Sequence, residues 1–214
     1  MPRATILPYT LCESYKSANL SKRMLMLALP EEKNIVIENP KDVFDDYGGI
    51  NAEPQSRIKK FYFPIFSETF KSYISGDSIV EAENYRKDFS YRNLRMRQVT
   101  EKTGQDTGSL VFSIPEQSEM KAAGLDSTVL VLIDRIVFKR NNFYIEYYWD
   151  DKTKRPANLE VNARALIWDY KSNAPVFYGI LTQKIEFQIA MQRKHWDESA
   201  RALAKKIVLS AQCL

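Results

Sequence analysis

The stretch Val161–Phe187, "VNARALIWDYKSNAPVFYGILTQKIEF", decides the fold of this chain. Apolar and polar residues alternate on either side of a short break that holds Asn173 and Pro175. Alternation with a period of two is typical of β-strands, so the stretch predicts an antiparallel hairpin that belongs to a core. No group on this hairpin is predicted to take part in chemistry. The alternation places residues of each strand on a common side. These are Ala163, Ala165 and Ile167 on one side of the first strand, Leu166, Trp168 and Tyr170 on its other side, and Phe177, Gly179, Leu181, Ile185 and Phe187 on one side of the second strand.

Two further strands are predicted directly before the hairpin. Residues Thr128–Phe138 form an almost continuous apolar run, and Phe143–Trp149 follows as an aromatic strand. Residues 139–142 and 150–156 are short and polar, which is typical of turns. Four strands in succession with short turns between them predict an antiparallel meander.

The N-terminal half predicts several shorter strands. The apolar run Arg23–Leu29 is typical of a strand that is buried on both faces, and Asn34–Glu38 predicts a second short strand. Three more strands are predicted over residues 77–85, 92–102 and 109–114.

Helices are predicted at three places. From Pro54 onward, apolar residues recur three and four positions apart, which predicts an amphipathic helix over about 54–75. Pro64 interrupts it, so we expect a kink or two helices. A second stripe predicts a C-terminal helix over about 193–211.

A third, short helix is predicted over about 115–123. Ser113 and Glu116 stand at the spacing of a capping box before it, and Gly124 suits its end. With the strands, these helices predict an α+β fold, in which a mixed sheet ends in an antiparallel meander and the helices pack on it.

Length and composition indicate one ordinary globular domain over residues 1–214, in which residues 1–21 are extended or loosely ordered. The chain has 31 basic and 27 acidic residues, a net charge of +4 and a hydrophobic share of 44%. A net charge this small does not by itself steer a polyanion, so nucleic acid is not indicated as a partner.

The two cysteines, Cys12 and Cys213, stand near opposite ends of the chain. Zinc sites and disulfide-dense scaffolds need clustered cysteines, so the remaining pairing would be a single bridge between the ends. No apolar run approaches the roughly 20 residues of a membrane-spanning helix. The start, "MPRATILPYTLC", is similar to a short lipoprotein signal whose Cys12 would carry a lipid. Either a signal was removed and replaced by a starting Met, or the protein has none.

Catalytic and metal-binding chemistry has few candidate residues. His195 is the only histidine, and no G-x-S-x-G elbow is present, so a surface or capping role is predicted for it. Residues 42–51 hold four Asp and Asn side chains whose oxygens suit a hard cation, but the EF-hand spacing is absent and a solvated turn is the alternative. No catalytic, cofactor-binding or metal-binding residue is therefore predicted.

Partner binding is predicted on two segments. Residues 85–97 interleave arginines with aromatics, which suits a protein contact, a single-stranded nucleic acid or a charged edge strand. On the aromatic strand, the face of Tyr144 and Tyr148 either binds a ligand or lies under a helix. Asp134 and Arg135 interrupt an apolar strand and predict a structural ion pair, a wet sheet surface or a site. The candidate partner-binding residues are Tyr85, Arg86, Tyr91, Arg92, Arg95, Arg97, Tyr144 and Tyr148.

Three segments and the order of elements resemble a group of bacterial envelope lipoproteins. Ala122–Ile133 matches the segment that leads into a long strand in that group, Ala165–Tyr178 matches its later hairpin, and Trp196–Ile207 matches its final helix. The group shares a fold similar to the N-terminal domain of TolB, and includes the curli-secretion lipoprotein and activators of peptidoglycan synthases. This chain has no lipobox at Cys12, and residues 171–173 replace the Thr-Gly usual in the hairpin turn.

The resemblance covers residues 22–210 and implies a function without catalysis. Members are mostly not enzymes, so the implied role is a periplasm-facing adaptor, in the periplasm or on the outer membrane, that binds protein partners in an assembly, secretion or transport system. The partner is either another envelope protein or a second copy of the chain, no cofactor is implied, and a membrane is reached only through a lipid. The residues leave open a cytoplasmic location, a nucleic-acid-binding module that uses residues 85–97, and a carrier of a small apolar ligand.

Overall fold

The computed structural model describes residues 9–10, 24–38, 54–73, 79–87, 89–102, 108–141, 144–148, 151–155, 157–187 and 191–210. The predictions for Cys12, for residues 42–51 and for Cys213 lie outside these residues. Within them the chain forms eleven strands and three α-helices. The strands are β1 (Tyr9–Thr10), β2 (Leu25–Ala28), β3 (Ile35–Glu38), β4 (Ile79–Glu81), β5 (Met96–Lys102), β6 (Ser109–Pro115), β7 (Val129–Asn141), β8 (Tyr144–Tyr148), β9 (Asp151–Arg155), β10 (Ala157–Asp169) and β11 (Ala174–Phe187), and the helices are α1 (Pro54–Tyr73), α2 (Gln117–Ala122) and α3 (Arg193–Ser210).

A mixed sheet forms the centre of the fold. Its strand order is β1-β11-β10-β7-β2-β4, and β3 also pairs with β7. The two strands of the predicted hairpin, β10 and β11, pair antiparallel from Ala157 opposite Phe187 to Asp169 opposite Ala174. On the other side of β10, β7 is antiparallel to it, whereas β2 and β3 both run parallel to β7. The mixed sheet with its helices confirms the predicted α+β fold, including the hairpin.

Helices α1 and α3 cover one face of the sheet. Trp196 of α3 is fully buried, and its ring centroid lies 5.4 Å from that of Phe61 and 5.5 Å from that of Phe138. Tyr62 of α1 is also buried, and its hydroxyl lies 3.3 Å from the hydroxyl of Ser199. Apolar stripes on both helices are thus joined to the sheet by aromatic rings, which contribute more per residue than any other side chain.

The opposite face of the sheet is covered by the β5–β6 hairpin and by α2. Buried residues of the hairpin and of α2 pack against buried residues of β2, β7 and β10 in one cluster. Burial alternates along β6, where every second side chain from Leu110 to Ile114 is buried. The buried members include Val99, Leu110, Phe112, Ile114 and Met120 on the covering elements, and Met26, Leu130, Leu132, Leu166, Trp168 and Tyr170 on and beside the sheet.

The predicted four-strand meander is wrong. β7 pairs directly with β10, from Asn141 opposite Asn158 to Val129 opposite Asp169. β8 pairs only with β9 among the described strands, and β9 lies where a turn was predicted. The reason is that β10 begins with a row of apolar residues, Leu159 and Val161 among them, that continues the core of β7. The edge of β7 that faces β10 is therefore paired along the strand without the aromatic strand, which forms a separate hairpin.

Two helix predictions also need correction. α1 is a single helix with Pro64 inside it, so of the two alternatives predicted at Pro64, a kink or two helices, the second is wrong. Pro64 is exposed, where water can bond the carbonyl that loses its helical partner. The predicted capping box does not form, because Ser113 belongs to β6 and the N-cap of α2 is Glu116, which makes no side-chain cap. Gly124 ends α2 as predicted, with a φ of 71°.

Several predicted strands are shorter than expected. The strand predicted over 77–85 is limited to β4, and a 3₁₀ helix, Ala82–Asn84, follows it. The segment predicted over 92–102 begins with another 3₁₀ helix, Tyr91–Asn93, before β5. These turns carry the chain from the edge of the sheet onto its second face, where they form one wall of the site described next.

Candidate functional site

A β-bulge on β7 shapes the site. Arg164 of β10 lies opposite Arg135, whereas the next residue, Ala165, lies opposite Ile133. Asp134 is therefore an extra residue on β7. A bulge bends the strand and turns a side chain away from the regular alternation. Here the turned side chain is a carboxylate, in a part of the strand that is apolar apart from Asp134 and Arg135.

A gap beside the bulge opens the sheet. β2 ends at Ala28, opposite Leu132, and β3 begins at Ile35, opposite Ile136. The six residues between them turn away through Pro30 and a 3₁₀ helix, Glu32–Asn34, so no strand lies beside the bulge on this edge of β7 among the described residues. The gap forms a cleft of about 410 Å³, which we name the bulge cleft.

The walls of the bulge cleft come from four parts of the fold. Residues 28–34 form one wall, the bulge and Arg164 form the floor, residues of the two 3₁₀ helices form the second wall, and β5 and β6 form the third. The volume is within the range of binding sites in proteins. The lining residues are Ala28, Leu29, Pro30, Glu31, Lys33, Asn34, Ala82, Glu83, Tyr91, Arg92, Met96, Gln98, Val111, Phe112, Ser113, Leu132, Ile133, Asp134 and Arg164.

An ion pair forms the floor of the bulge cleft. Arg164 Nε donates to Asp134 Oδ1 at 2.7 Å, and Nη2 of the same guanidinium donates to Oδ2. The guanidinium carbon lies 5.5 Å from the ring centroid of Phe112. Burial raises the pKa of Asp134 above its ordinary value, although Arg164 opposes the rise. The predicted structural ion pair at Asp134 is thus present, while Arg135 is exposed.

The hydroxyl of Tyr91 is the one buried oxygen in the lining that lacks a hydrogen-bond partner among the described residues. Burial raises the pKa of Tyr91, and the negative charge of Asp134 raises it further. The hydroxyl therefore keeps its proton and remains a donor without an acceptor. Buried donors are almost always paired in native proteins, so an unpaired one beside a cleft points to a missing acceptor.

All the charged residues of the lining pair with one another. Lys33 Nζ lies 2.7 Å from Glu31 Oε2, Arg92 binds Glu83, and Arg164 binds Asp134. Each pair joins one positive to one negative group, so the lining has no net charge. The bulge cleft therefore offers no excess charge of either sign to an ionic ligand.

The edge of β6 in the bulge cleft has its backbone groups turned outward. In an antiparallel pair, residue pairs that exchange two hydrogen bonds alternate with pairs that exchange none. The N–H of Glu116 donates to the carbonyl of Arg95 at 2.8 Å, which makes Met96–Pro115 a pair that exchanges none. Because the pattern repeats every two residues, the pairs Gln98–Ser113 and Thr100–Val111 exchange no hydrogen bonds either. The N–H and C=O groups of Val111 and Ser113 consequently point away from β5.

Two tyrosines confirm this phase. Tyr170 donates to the carbonyl of Pro115 at 2.8 Å, and Tyr178 donates to the carbonyl of Lys102 at 2.8 Å. Both carbonyls belong to residues that the phase turns outward. No described strand pairs with the outward groups of Val111 and Ser113, because β6 pairs only with β5. Both residues line the bulge cleft.

Most of the predicted arginines are tied to the protein itself. Arg92 binds Glu83, Arg95 Nε donates to Glu119 Oε1 at 2.9 Å, and Arg97 binds Asn173. A phosphate would have to displace two carboxylates here, which disfavours the nucleic-acid alternative. The contact with a partner stays a prediction for these residues.

The predicted tyrosines have mixed surroundings. The ring centroid of Tyr85 lies 5.2 Å from that of Phe89. The guanidinium of Arg86 lies over the Tyr85 ring and donates to the Tyr85 hydroxyl at 2.8 Å. Of the candidate partner-binding residues, the structure brings Tyr91 and Arg92 into the bulge cleft. The side chains of Tyr144 and Tyr148 lie outside what the structure describes.

His195 has the capping role that the sequence predicts. It is buried at the start of α3, and its Nδ1 accepts the N–H of Gln192 at 2.8 Å. Arg164 was missed, because the hairpin was expected to carry no group for chemistry. The signal was its position directly before Leu166 and Trp168 on the same face of the strand, where a charge that borders buried apolar residues needs a partner.

No protein-family profile and no curated protein sequence matches the chain. Solved structures with a similar arrangement include the PelC dodecamer of Paraburkholderia phytofirmans, at 9% identity over 89% of each chain and a TM-score of 0.34. A hypothetical protein of Chlamydia trachomatis has 8% identity over 88% of this chain and 95% of its own, with a TM-score of 0.38. A putative neuraminyllactose-binding hemagglutinin homolog of Helicobacter pylori has 10% identity over 88% and 81%, also with 0.38. Similarities this low assign neither a fold family nor a function.

The described residues hold no cluster of three or more His, Cys, Asp or Glu side chains that suits a metal ion. None of the described helices combines the length and the apolar composition that spanning a bilayer requires. We take the bulge cleft as the candidate site because it joins a concave shape, an unpaired donor and an open strand edge.

Replacing Tyr91 by phenylalanine is expected to raise the free energy of unfolding by about 1 kcal/mol, because a buried hydroxyl without a partner is destabilising. Urea denaturation measures the change. The matched control is Tyr170→Phe, which removes a hydroxyl that has an acceptor, and it is expected to lower stability by about 1 kcal/mol. If both variants lose stability alike, the Tyr91 hydroxyl has a partner and is not free to bind a ligand.

Proposed function

We propose that this chain is a non-enzymatic accessory protein of the bacterial cell envelope that binds a protein partner through the bulge cleft. The observation that carries the proposal is the open, charge-neutral cleft beside the edge of β6. Its groups suit binding better than catalysis, because the carboxylate of Asp134 is held by Arg164 and the hydroxyl of Tyr91 keeps its proton. Within the described residues, His195 is engaged in a helix cap on the other face of the sheet.

The envelope setting rests on the sequence resemblance of Ala122–Ile133, Ala165–Tyr178 and Trp196–Ile207 to the envelope lipoproteins. These segments contain the start of the long strand β7, the turn of the β10–β11 hairpin and most of the final helix α3. The resemblance supports the setting through the sequence, independently of the bulge cleft. The two parts of the proposal therefore need separate tests.

The outer face of the β5–β6 hairpin supports a protein contact. Met96 and Val111 are exposed to 38% and 40%, and both lie at the rim of the bulge cleft. Between them stand the neutral residues Gln98, Thr100 and Ser113. Protein interfaces are poor in charged residues at their centre and enriched in methionine. A charge-poor patch that contains methionine, in a chain with 27% charged residues, has that composition.

Site-specific photocrosslinking in the native cell tests the partner. A photoreactive phenylalanine analogue replaces Val111 at the rim or, as the matched control, Leu209, which is exposed to a similar extent, 48%, on α3. We expect position 111 to give a discrete crosslink to one protein and position 209 to give none. Equal crosslinking at both positions, or none at position 111, would contradict the proposed site.

Cell fractionation tests the setting. We expect the chain to separate with the periplasm or with the outer membrane, and to be degraded by protease once the outer membrane is opened. A chain that stays with the cytoplasm and is protected from protease until the inner membrane is broken would exclude the envelope role. The crosslinking result would then describe a cytoplasmic partner.

A further inference from the structure

The edge of β6 offers four backbone hydrogen-bonding groups in the bulge cleft, the N–H and C=O of Val111 and of Ser113. The two residues are about 7 Å apart in an extended strand. An added strand would meet all four groups with about three of its own residues. Unpaired strand edges recruit extended polypeptides in this way, and such pairing uses main-chain bonds for affinity.

We infer that the partner supplies an extended, uncharged polypeptide segment, which adds as a strand to the β6 edge inside the bulge cleft. This inference rests on the proposed function and names the class of ligand for the same cleft. The segment lies between the edge of β6 and the wall formed by Leu29 and Pro30. Pro30 has no N–H, so it cannot donate a hydrogen bond to the added strand.

The charge balance of the cleft selects an uncharged segment. The ionised lining residues form the pairs Glu31–Lys33, Glu83–Arg92 and Asp134–Arg164. A charged side chain of the ligand would lose water without finding a free counter-ion, and desolvation without pairing is strongly unfavourable. A peptide backbone with apolar or small polar side chains meets no such cost.

The second wall and the floor of the bulge cleft each contribute a group that can bond a peptide. The hydroxyl of Tyr91 is a donor that lacks an acceptor among the described residues, and a peptide C=O supplies one. Arg164 bonds Asp134 through Nε and Nη2, so the carboxylate keeps outer lone pairs that a peptide N–H can use. The bulge cleft thus offers one donor and one acceptor, which suit the C=O and N–H that alternate along an extended chain.

The test uses an array of immobilised peptides of about eight residues, a common strand length. One set contains no Asp, Glu, Lys or Arg, and the matched set carries two such residues at random positions. The array is probed with the full chain as wild type, as Ser113→Pro and as Thr100→Pro. Proline at position 113 removes one outward N–H, and the natural Pro115 occupies an equivalent outward position in β6. Thr100→Pro places the same change on the far edge of the hairpin, on β5.

We expect wild type to bind members of the uncharged set, Thr100→Pro to bind them equally well, and Ser113→Pro to bind them at least about tenfold more weakly. Equal binding of the charged set, unchanged binding by Ser113→Pro, or no binding to either set would overturn the inference. Self-association of the chain that Ser113→Pro abolishes would place a second copy on the edge and would overturn it as well.

Methylated peptides keep the test decisive if the proline variant does not fold. A peptide that binds wild type is resynthesised with one backbone nitrogen methylated at a time. Strand addition predicts that methylation at alternate positions abolishes binding and that methylation at the positions between has little effect. Uniform tolerance would overturn the inference. A crosslink at position 111 that persists despite such a result would leave the proposed protein partner intact and reject only the strand addition.

Discussion

Replacing Trp196 by alanine is expected to lower the free energy of unfolding by about 4 kcal/mol. The side chain is fully buried at the contact of α1, α3 and the sheet, against the rings of Phe61, Tyr62 and Phe138. Its removal leaves a cavity between α1, α3 and β7, and these rigid elements cannot move together to close it. Guanidinium denaturation followed by circular dichroism measures the loss, and the melting temperature should fall by about 12 °C.

The control for this variant is Tyr73→Ala at the end of α1. Tyr73 is exposed to 49%, so its truncation is expected to change stability by less than about 0.5 kcal/mol. A Trp196→Ala variant that stays within about 1 kcal/mol of wild type would contradict the packing of α3 on the sheet. The sequence resemblance in Trp196–Ile207 would then lose its structural basis.

Replacing Arg164 by methionine is expected to lower the free energy of unfolding by about 2 kcal/mol near neutral pH. Breaking a buried ion pair costs about 3–5 kcal/mol and breaking an exposed pair costs less than about 1 kcal/mol. The pair with Asp134 lies between these limits, since the side chains are 31% and 15% exposed. Methionine retains much of the packing against Phe112 and removes the charge. The loss of stability therefore measures the cost of leaving the Asp134 carboxylate without its ion-pair partner.

The loss should depend on pH in a defined direction. Burial raises the pKa of Asp134 above its ordinary 3.8, so the folded state holds this proton more tightly than the unfolded state does. Stability therefore falls as the pH rises from the ordinary pKa to the raised one. Without Arg164 the pKa rises further, so the deficit of Arg164→Met should be largest at neutral pH and shrink toward pH 4.

Denaturation of the double variant Asp134→Asn/Arg164→Met from pH 8 to pH 4 provides the control. The double variant has no carboxylate at position 134. The difference in stability between it and wild type should therefore vary with pH only by the small amount that Asp134 of the wild type contributes. A deficit of Arg164→Met that stays constant or grows toward low pH would show that Asp134 is not the group left unpaired.

The elements with a clear local period could be predicted from the sequence. The alternation over 161–187 places Leu166 and Trp168 on one face and Ile167 on the other, and the structure has the same arrangement. The stripes of α1 and α3 were likewise visible at helical spacing, because burial of one face dictates it. Strand and helix periods are local properties of the chain, and reading them requires no knowledge of partners.

The pairing of strands could not be predicted in the same way. Whether β7 pairs with β8 or with β10 depends on contacts between residues far apart in sequence, and the local pattern of each strand is compatible with both. The bulge at Asp134 arises from the register of β7 against β10, which no local period encodes. This register brings Arg164 beside Asp134. The sequence pattern therefore indicated Asp134 as a candidate residue but not Arg164.

The placement of Tyr91 shows the same limit. Its aromatic and basic neighbours suggested an exposed strand, whereas it stands on a 3₁₀ helix that turns its hydroxyl into the protein. The sequence pattern predicts the arginines around it as candidate anchors for a partner, whereas Arg92 and Arg95 form ion pairs within the chain. Whether a charged residue is free depends on where its opposite charge folds, so sequence composition overestimates the number of free anchors.

Hydrogen exchange of individual amides in the isolated chain tests the open edge of β6 most directly. Leu110, Phe112 and Ile114 donate to β5 in the phase set by Glu116 and Arg95, and their amides should exchange slowly. The amides of Val111 and Ser113 point into the bulge cleft, and we expect them to exchange at nearly the rate of an unfolded chain. Slow exchange at all five positions would show that the edge is already covered, and that the bulge cleft is not open to a partner.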